Sequence, residues 1–349
     1  MAYTTINKST DYFNTKLYTG TGSSQGITGV GFQPDWTWIK SRSTTHEHKL
    51  IDAIRGVTKA LASDNTTAEF TDVQGLTAFG SDGYTIGTDS YYNTNGHNYA
   101  SWNWKGNGSG SANTDGTISS TVSANTTAGF SIVKWTATNA NGATIGHGLG
   151  TTPAIVITKR LNSTGDWLFG GSAIDTARGG ANSLLLLNTT AAMDNNSEVY
   201  QTFSSTTFQV GVNAGSFANG ATLISYCFAD VQGYSKFGSY VGNGNVNGPM
   251  IYTGFKPAFV ILKRTNTSNN WIMFDNKRDP FNEAIRVLFP NQTTAEDSGT
   301  SANDIDFVSN GIKIREDNGE CNGSGDSYIY MAFAEAPLVG SNNVPCTAR

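Results

Sequence analysis

The chain has 349 residues, of which only 14% are charged, with 40 glycines and a formal net charge of −5. The low charge and the 38% hydrophobic content exclude a disordered chain, and glycine without a three-residue period excludes collagen. The acidic balance and the lack of any basic block argue against nucleic acid as a partner.

Length alone suggests two or three domains. Abundant Gly, Ser, Thr and Asn between short apolar runs predicts an all-β protein with many turns. The opening Met1-Ala2-Tyr3-Thr4-Thr5-Ile6 has neither a basic start nor an apolar core, so no secretory signal is expected. No apolar run is long enough for a membrane-spanning helix, and membrane insertion is not expected. The cysteines, Cys227, Cys321 and Cys346, are odd in number and match no zinc spacing. That predicts synthesis in a reducing cytoplasm, without a disulfide framework.

Along the chain one set of landmarks returns three times in the same order. The first is a turn ending in Pro followed by an apolar strand. It reads Gly31-Phe32-Gln33-Pro34 before Trp36–Lys40, Gly148-Leu149-Gly150-Thr151-Thr152-Pro153 before Ile155–Arg160, and Gly254-Phe255-Lys256-Pro257 before Phe259–Arg264. Next comes Asp-x-x-Arg, as Asp52/Arg55, Asp175/Arg178 and Asp275/Arg278. An Asn-Thr-Thr-Ala element follows at 65–68 and 188–191, and returns as Asn291-Gln292-Thr293-Thr294-Ala295. A hairpin is predicted at Phe79–Ile86 and Phe307–Ile314, where Asp82-Gly83 and Asn310-Gly311 suit type I′ turns. The second unit has Thr207 in place of the turn glycine. The last landmark is an alternating strand at Tyr99–Trp104, Leu223–Ala229 and Tyr328–Ala334.

These landmarks predict three tandem, related antiparallel β-sandwiches, with a jelly-roll arrangement as one option. The expected division is 1–105 for repeat 1, 106–129 for a Gly/Ser-rich linker, 130–237 for repeat 2, and 238–349 for repeat 3 with a C-terminal tail. The linker leaves the first repeat freer than the other two, which the short 233–238 junction holds together. Helical periodicity is weak, with one candidate turn at Phe281–Arg286 that reads equally as a strand extension.

The three Asp-x-x-Arg pairs are read as structural ion pairs, because a fold-holding tie is needed in every copy whereas an active site is needed in one. His46-Glu47-His48 could bring two imidazoles to one strand face, but no further ligand lies nearby, so an exposed polar loop is the preferred reading. His97 and His147 are expected at the surface. Trp36, Trp38, Trp102, Trp104, Trp167 and Trp271 recur at core positions rather than as sugar-stacking platforms. The candidate ligand-binding loops are Tyr91, Tyr92, Asn95 and His97 in one hairpin and Arg315, Asp317 and Asn318 in another. No nucleophile elbow, P-loop, dinucleotide fingerprint, carboxylate dyad or EF-hand loop is present. No catalytic, cofactor or metal residue is assigned.

Several phrases resemble a known group. They are Tyr12-Phe13-Asn14-Thr15-Lys16-Leu17-Tyr18-Thr19-Gly20, Gly31–Lys40, Asn113-Thr114-Asp115-Gly116-Thr117-Ile118 continued by Val122–Val133, and Gly146-His147-Gly148-Leu149-Gly150. Together they resemble tail-fibre-like virion structural proteins of marine phages, of the cyanophage type, with a repeated β-domain of unknown function. The resemblance implies a non-enzymatic virion appendage, such as a tail fibre, that attaches to the particle and presents a host-binding surface. It implies other tail or capsid proteins as partners, a homotrimer, and host cell-surface polysaccharide or an outer-membrane component as receptor. The expected location is the virion, after synthesis in the host cytoplasm. An architectural capsid decoration or head-fibre protein is the alternative, and a glycan depolymerase the second. This chain departs from the long-fibre pattern in having no heptad run for a trimerising stalk.

Overall fold

A computed structural model of the chain describes residues 4–299 and 303–337. Apart from two short helices and a 3₁₀ turn, its regular structure is β, in antiparallel sheets. The first segment of chain carries β1 (Phe13–Thr19), β2 (Gln25–Thr28), β3 (Trp36–Ser41), β4 (Lys49–Asp52), β5 (Lys59–Ala60), β6 (Phe70–Thr71), β7 (Leu76–Gly80), β8 (Gly83–Ile86), α1 (Ser90–Asn93) and β9 (Asn98–Trp104). The second carries β10 (Ser111–Asn113), β11 (Ser120–Asn125), β12 (Phe130–Thr136), β13 (Ala143–Gly146), β14 (Ile155–Arg160), β15 (Leu168–Gly170), α2 (Ser172–Arg178), β16 (Ser183–Leu186), β17 (Asp194–Asn195), β18 (Tyr200–Phe203), β19 (Thr207–Val210) and β20 (Thr222–Phe228). The third carries β21 (Ser235–Val241), β22 (Met250–Tyr252), β23 (Phe255–Arg264), β24 (Trp271–Asp275), β25 (Arg286–Val287), β26 (Asp297–Ser298), β27 (Ile305–Val308), β28 (Gly311–Ile314) and β29 (Ser327–Pro337).

One strand order recurs in the three segments. The larger sheets run β1-β9-β3-β4, β12-β20-β14-β15 and β21-β29-β23-β24, and the smaller ones β2-β8-β7, β13-β19-β18 and β22-β28-β27. The register recurs as well. Trp38 lies between Leu50 and Trp102, Ile157 between Phe169 and Tyr226, and Ile261 between Met273 and Met331. These pairings equate residues across segments, so a difference at matched positions can be read as a natural substitution.

Each larger sheet is buried on both faces, which is why its central strands are almost continuously apolar. One face packs on the smaller sheet of its own segment and forms a private core, around Ile39 and Tyr84 in the first, Val156 and Phe208 in the second, and Val260 and Ile312 in the third. The other face joins a core shared by all three segments. At its centre stand Trp104, Phe228 and Phe333, which occupy matched positions. Their ring centroids lie 6.3, 5.6 and 5.7 Å apart, each pair edge-to-face at 66–72°. Three matched rings in mutual contact mean that the segments close around a common axis.

Three structural details differ from the sequence expectations. The 106–129 stretch is not a slack tether, because it carries β10 and β11, which extend the second segment's sheet. The first segment is therefore not freer than the others, and Trp36 stacks on Tyr226 with centroids 4.3 Å apart. The Phe281–Arg286 stretch forms no helical turn and leads into β25 at Arg286, as its strand reading allowed, while α2 arises at a place where no helix was expected. The hairpin glycines also have another reason. The two-residue loops are Ser81-Asp82 and Ser309-Asn310, none at positive φ, so the turns are not type I′. Gly83 and Gly311 instead begin the return strands, where a Cβ would sit about 2 Å from the carbonyl oxygens of Ile27 and Ile251.

Candidate functional site

The repeated sequence landmarks meet at the seams between segments. His48, Trp167 and Trp271 are matched, each buried at the start of the sheet's fourth strand. Trp167 Nε1 donates to Ala62 O across the seam (2.7 Å), and Trp271 Nε1 to Leu186 O (3.0 Å). His48 accepts from Trp38 Nε1 at Nδ1 (2.8 Å), which places its proton on Nε2, facing Phe289 O at 3.0 Å. The three bonds run from segment 2 to 1, from 3 to 2 and from 1 to 3, a closed ring. Burial holds His48 neutral, with its pKa well below the usual range. His46-Glu47-His48 is thus neither a metal pair nor an exposed loop. Glu47 pairs with Lys49, and His46 lies against Tyr91.

The Asn-Thr-Thr-Ala element faces a second matched set, Lys40, Lys159 and Lys263. All three are buried, and their ammonium groups donate to the carbonyls of Thr293, Thr66 and Thr190 in the neighbouring segment, at 3.1, 2.9 and 3.3 Å. Burial pulls each lysine down to about 8.

Two of the three Asp-x-x-Arg pairs are ion pairs. Asp52–Arg55 and Asp275–Arg278 have fully buried side chains, and Glu69 and Glu296 complete them at 3.4 and 3.1 Å. Each aspartate also accepts a bond across a seam, Asp52 from Tyr226 (2.8 Å) and Asp275 from Trp102 (3.1 Å). Asp175 and Arg178 lie elsewhere. They belong to α2, Arg178 is exposed, and no ion pair joins them. The positions matched to Asp52, Arg55 and Glu69 are Gly171, Ile174 and Met193, so the second segment replaces the charged cluster with an apolar one.

All seven tryptophans are buried, so none offers a sugar platform. His147, expected at the surface, is buried as well, with Nε2 3.2 Å from Ser204 O. The two candidate loops prove to be matched. Asp89 and Asn318 accept from the amides of Tyr91 and Glu320, and the buried Asn93 and Asn322 brace the loops. Tyr92 is fully buried and cannot meet a ligand, whereas Asn95 is exposed at the tip and His97 half-buried. Arg315 pairs with Asp306 at 3.2 Å and Glu283 at 3.5 Å, and Asp317 is exposed.

Two matched clefts open in the first and second segments, the first of them beside Tyr91. The first-segment cleft, about 420 Å³, is lined by Glu47, Lys49, Phe70, Asp72, Asp89 and Tyr91, among others. The Lys49 ammonium fills its floor, 4.1 Å from the Tyr91 ring centroid and 4.5 Å from that of Phe70. Burial, and then the charge of Asp89, raises the pKa of Asp72. The second-segment cleft, about 440 Å³, has Asp166, Leu168, Asp194, Asn196 and Asn213 at the positions of Glu47, Lys49, Phe70, Asp72 and Asp89. Sequence reasoning found Tyr91 but missed this second cleft, which four separate stretches of chain assemble.

Among the described residues no group of three or more His, Cys, Asp or Glu side chains is placed to hold a metal, and no helix is long and apolar enough to cross a membrane. Cys227 and Cys321 are buried free thiols, and Cys346 lies outside the described residues. No curated protein matches the sequence. A family model described as a domain of unknown function, DUF7483, matches residues 8–337, and the chain belongs to that family.

Proposed function

We propose that the chain is a non-enzymatic phage virion appendage protein, which attaches to the particle and presents a host-binding surface. The sequence phrases resembling tail-fibre-like proteins of marine phages suggest the setting. The observation that carries the reading is the closed arrangement of three β-sandwich segments, braced by buried seams and bearing clefts and loops around their outer sides. Such a body is a rigid carrier for adaptable loops, and many copies on a particle would multiply weak contacts by avidity. The homotrimer implied by the resemblance is proposed in internal form, because one chain already closes three matched segments around an axis. Light scattering on the purified chain tests this, with 37.1 kDa expected and three times that mass counting against it. The proposed partners are tail or capsid proteins on one side and host polysaccharide or an outer-membrane component on the other.

Immunogold electron microscopy of purified particles tests the role. Label at fibre ends supports the appendage. Label spread over the head would favour the decoration protein instead, and unlabelled particles would overturn both.

A further inference from the structure

We propose that the second-segment cleft binds an uncharged saccharide, with a sugar face on the leucine floor and its hydroxyls held by Asp166, Asp194, Asn196 and Asn213. The inference rests on the appendage reading only for the source of the sugar, a host-surface glycan.

The cleft's volume, about 440 Å³, is that of a small-ligand site. Leu168, Leu184 and Leu186 make an apolar floor of the kind that covers the C–H face of a pyranose. Around it, each of the four polar side chains spends one atom within the protein, three of them on their own turns and Asp166 on Asn188. Asp166 Oδ1 accepts from Asn188 Nδ2 (2.8 Å), Asp194 Oδ1 from Asn195 N (2.7 Å), Asn196 Oδ1 from Glu198 N (3.1 Å) and Asn213 Oδ1 from Ser216 N (2.9 Å). Their second atoms make no hydrogen bond among the described residues. Two carboxylate oxygens are left to accept and two amide nitrogens to donate. Vicinal hydroxyls both donate and accept, so they match this set. Two carboxylates line the cleft, while Arg160, the cation beside it, is outside the lining and bonded to the Gly215 carbonyl (3.0 Å), which disfavours uronic or phosphorylated sugars.

The matched first-segment cleft explains the choice of segment. There the floor position is Lys49, whose own ammonium fills the space against Glu47, Phe70 and Tyr91, and both amides are carboxylates, Asp72 and Asp89. That comparison also supplies clean variants. Asn213→Asp and Asn196→Asp keep the oxygen that each turn needs and remove the donor, and Leu168→Lys installs the first segment's floor residue.

The test is saturation-transfer NMR, followed by titration calorimetry, on the full chain with cellobiose, maltose, lactose and N,N′-diacetylchitobiose, and with digalacturonate as the acidic comparison. At least one neutral disaccharide is expected to bind saturably with a Kd of about 1 mM or tighter. Asn213→Asp and Asn196→Asp should each weaken it about tenfold, and Leu168→Lys should abolish it, with melting curves confirming that the variants are folded. No saturable binding by any neutral sugar would overturn the proposal. Binding unchanged in all three variants, or digalacturonate bound as tightly, would overturn it too. Particle labelling does not depend on these results, so this site can fail while the appendage reading stands.

Discussion

The second segment has no charged cluster at the positions of Asp52, Arg55 and Glu69, and two of its replacements, Ile174 and Met193, can be copied into the first. Asp52→Asn keeps the Oδ1 that accepts from Ile54 N and Arg55 N but removes the charge facing a fully buried guanidinium. Breaking a buried ion pair from one side costs about 3–5 kcal/mol, and Glu69, 3.4 Å from Arg55, places this case near 3. For 349 residues the unfolding entropy is about 0.7 kcal/mol/K, so the melting temperature should fall by about 4 °C. The triple variant Asp52→Asn, Arg55→Ile, Glu69→Met installs the apolar choice seen at Ile174 and Met193, and should recover to within about 1.5 °C of the parent. Differential scanning calorimetry at pH 7 reads both. A single variant that melts within 1 °C of the parent would refute the uncompensated-charge argument. A triple variant no better than the single would refute the equivalence of the two clusters.

Three further outcomes follow from the seams and the core. Asp64 stands where the other segments have Asn188 and Asn291; its carboxyl has no hydrogen-bond partner and is raised to about 7, chiefly by burial. Its neutral form is the one the fold favours, so its contribution is full below pH 3.8 and lost as pH rises through 7. Asp64→Asn should therefore be neutral at pH 4 and gain about 2 kcal/mol at pH 8 by thermal melts; a gain of equal size at both pH values would contradict this. Lys159 is lowered from 10.5 to about 8, so its contribution is present above 10.5 and lost as pH falls through 8. Lys159→Met removes the buried charge but also the donor to Thr66 O and Gly165 O, so its cost should be smallest at pH 6–7 and grow towards pH 9.5; a cost that shrinks as pH rises would count against it. Phe333→Ala removes one ring of the central triangle and should cost about 3–5 kcal/mol in urea unfolding, and a loss below 1 would mean that the axis is poorly packed.

The alternating strands and the buried tryptophans were legible in the sequence, because periodicity reports burial directly. The seams were not. Trp167 and Trp271 match each other in the sequence, but His48 shares with them only a ring N–H donor, so the third member of the set stayed hidden. Asp175-x-x-Arg178 imitates the motif, yet strand pairing puts Gly171 at the aspartate position. The Asn-Thr-Thr-Ala element was visible, but its role lies in backbone carbonyls such as Thr66 O, which carry no side-chain signature. The second cleft escaped notice because its Asn and Asp residues read as ordinary turn formers, and only the fold shows which of their atoms are left over.

The central structural claim is that the first segment is one third of a closed ring rather than a tethered bead. A protease site placed in the loop at Asn107–Gly110 allows the chain to be cut between β9 and β10, followed by size exclusion under native conditions. The ring of bonds through His48, Trp167 and Trp271 predicts that the two fragments co-elute at the mass of the uncut chain and part only in denaturant. Two native peaks after cleavage would contradict it.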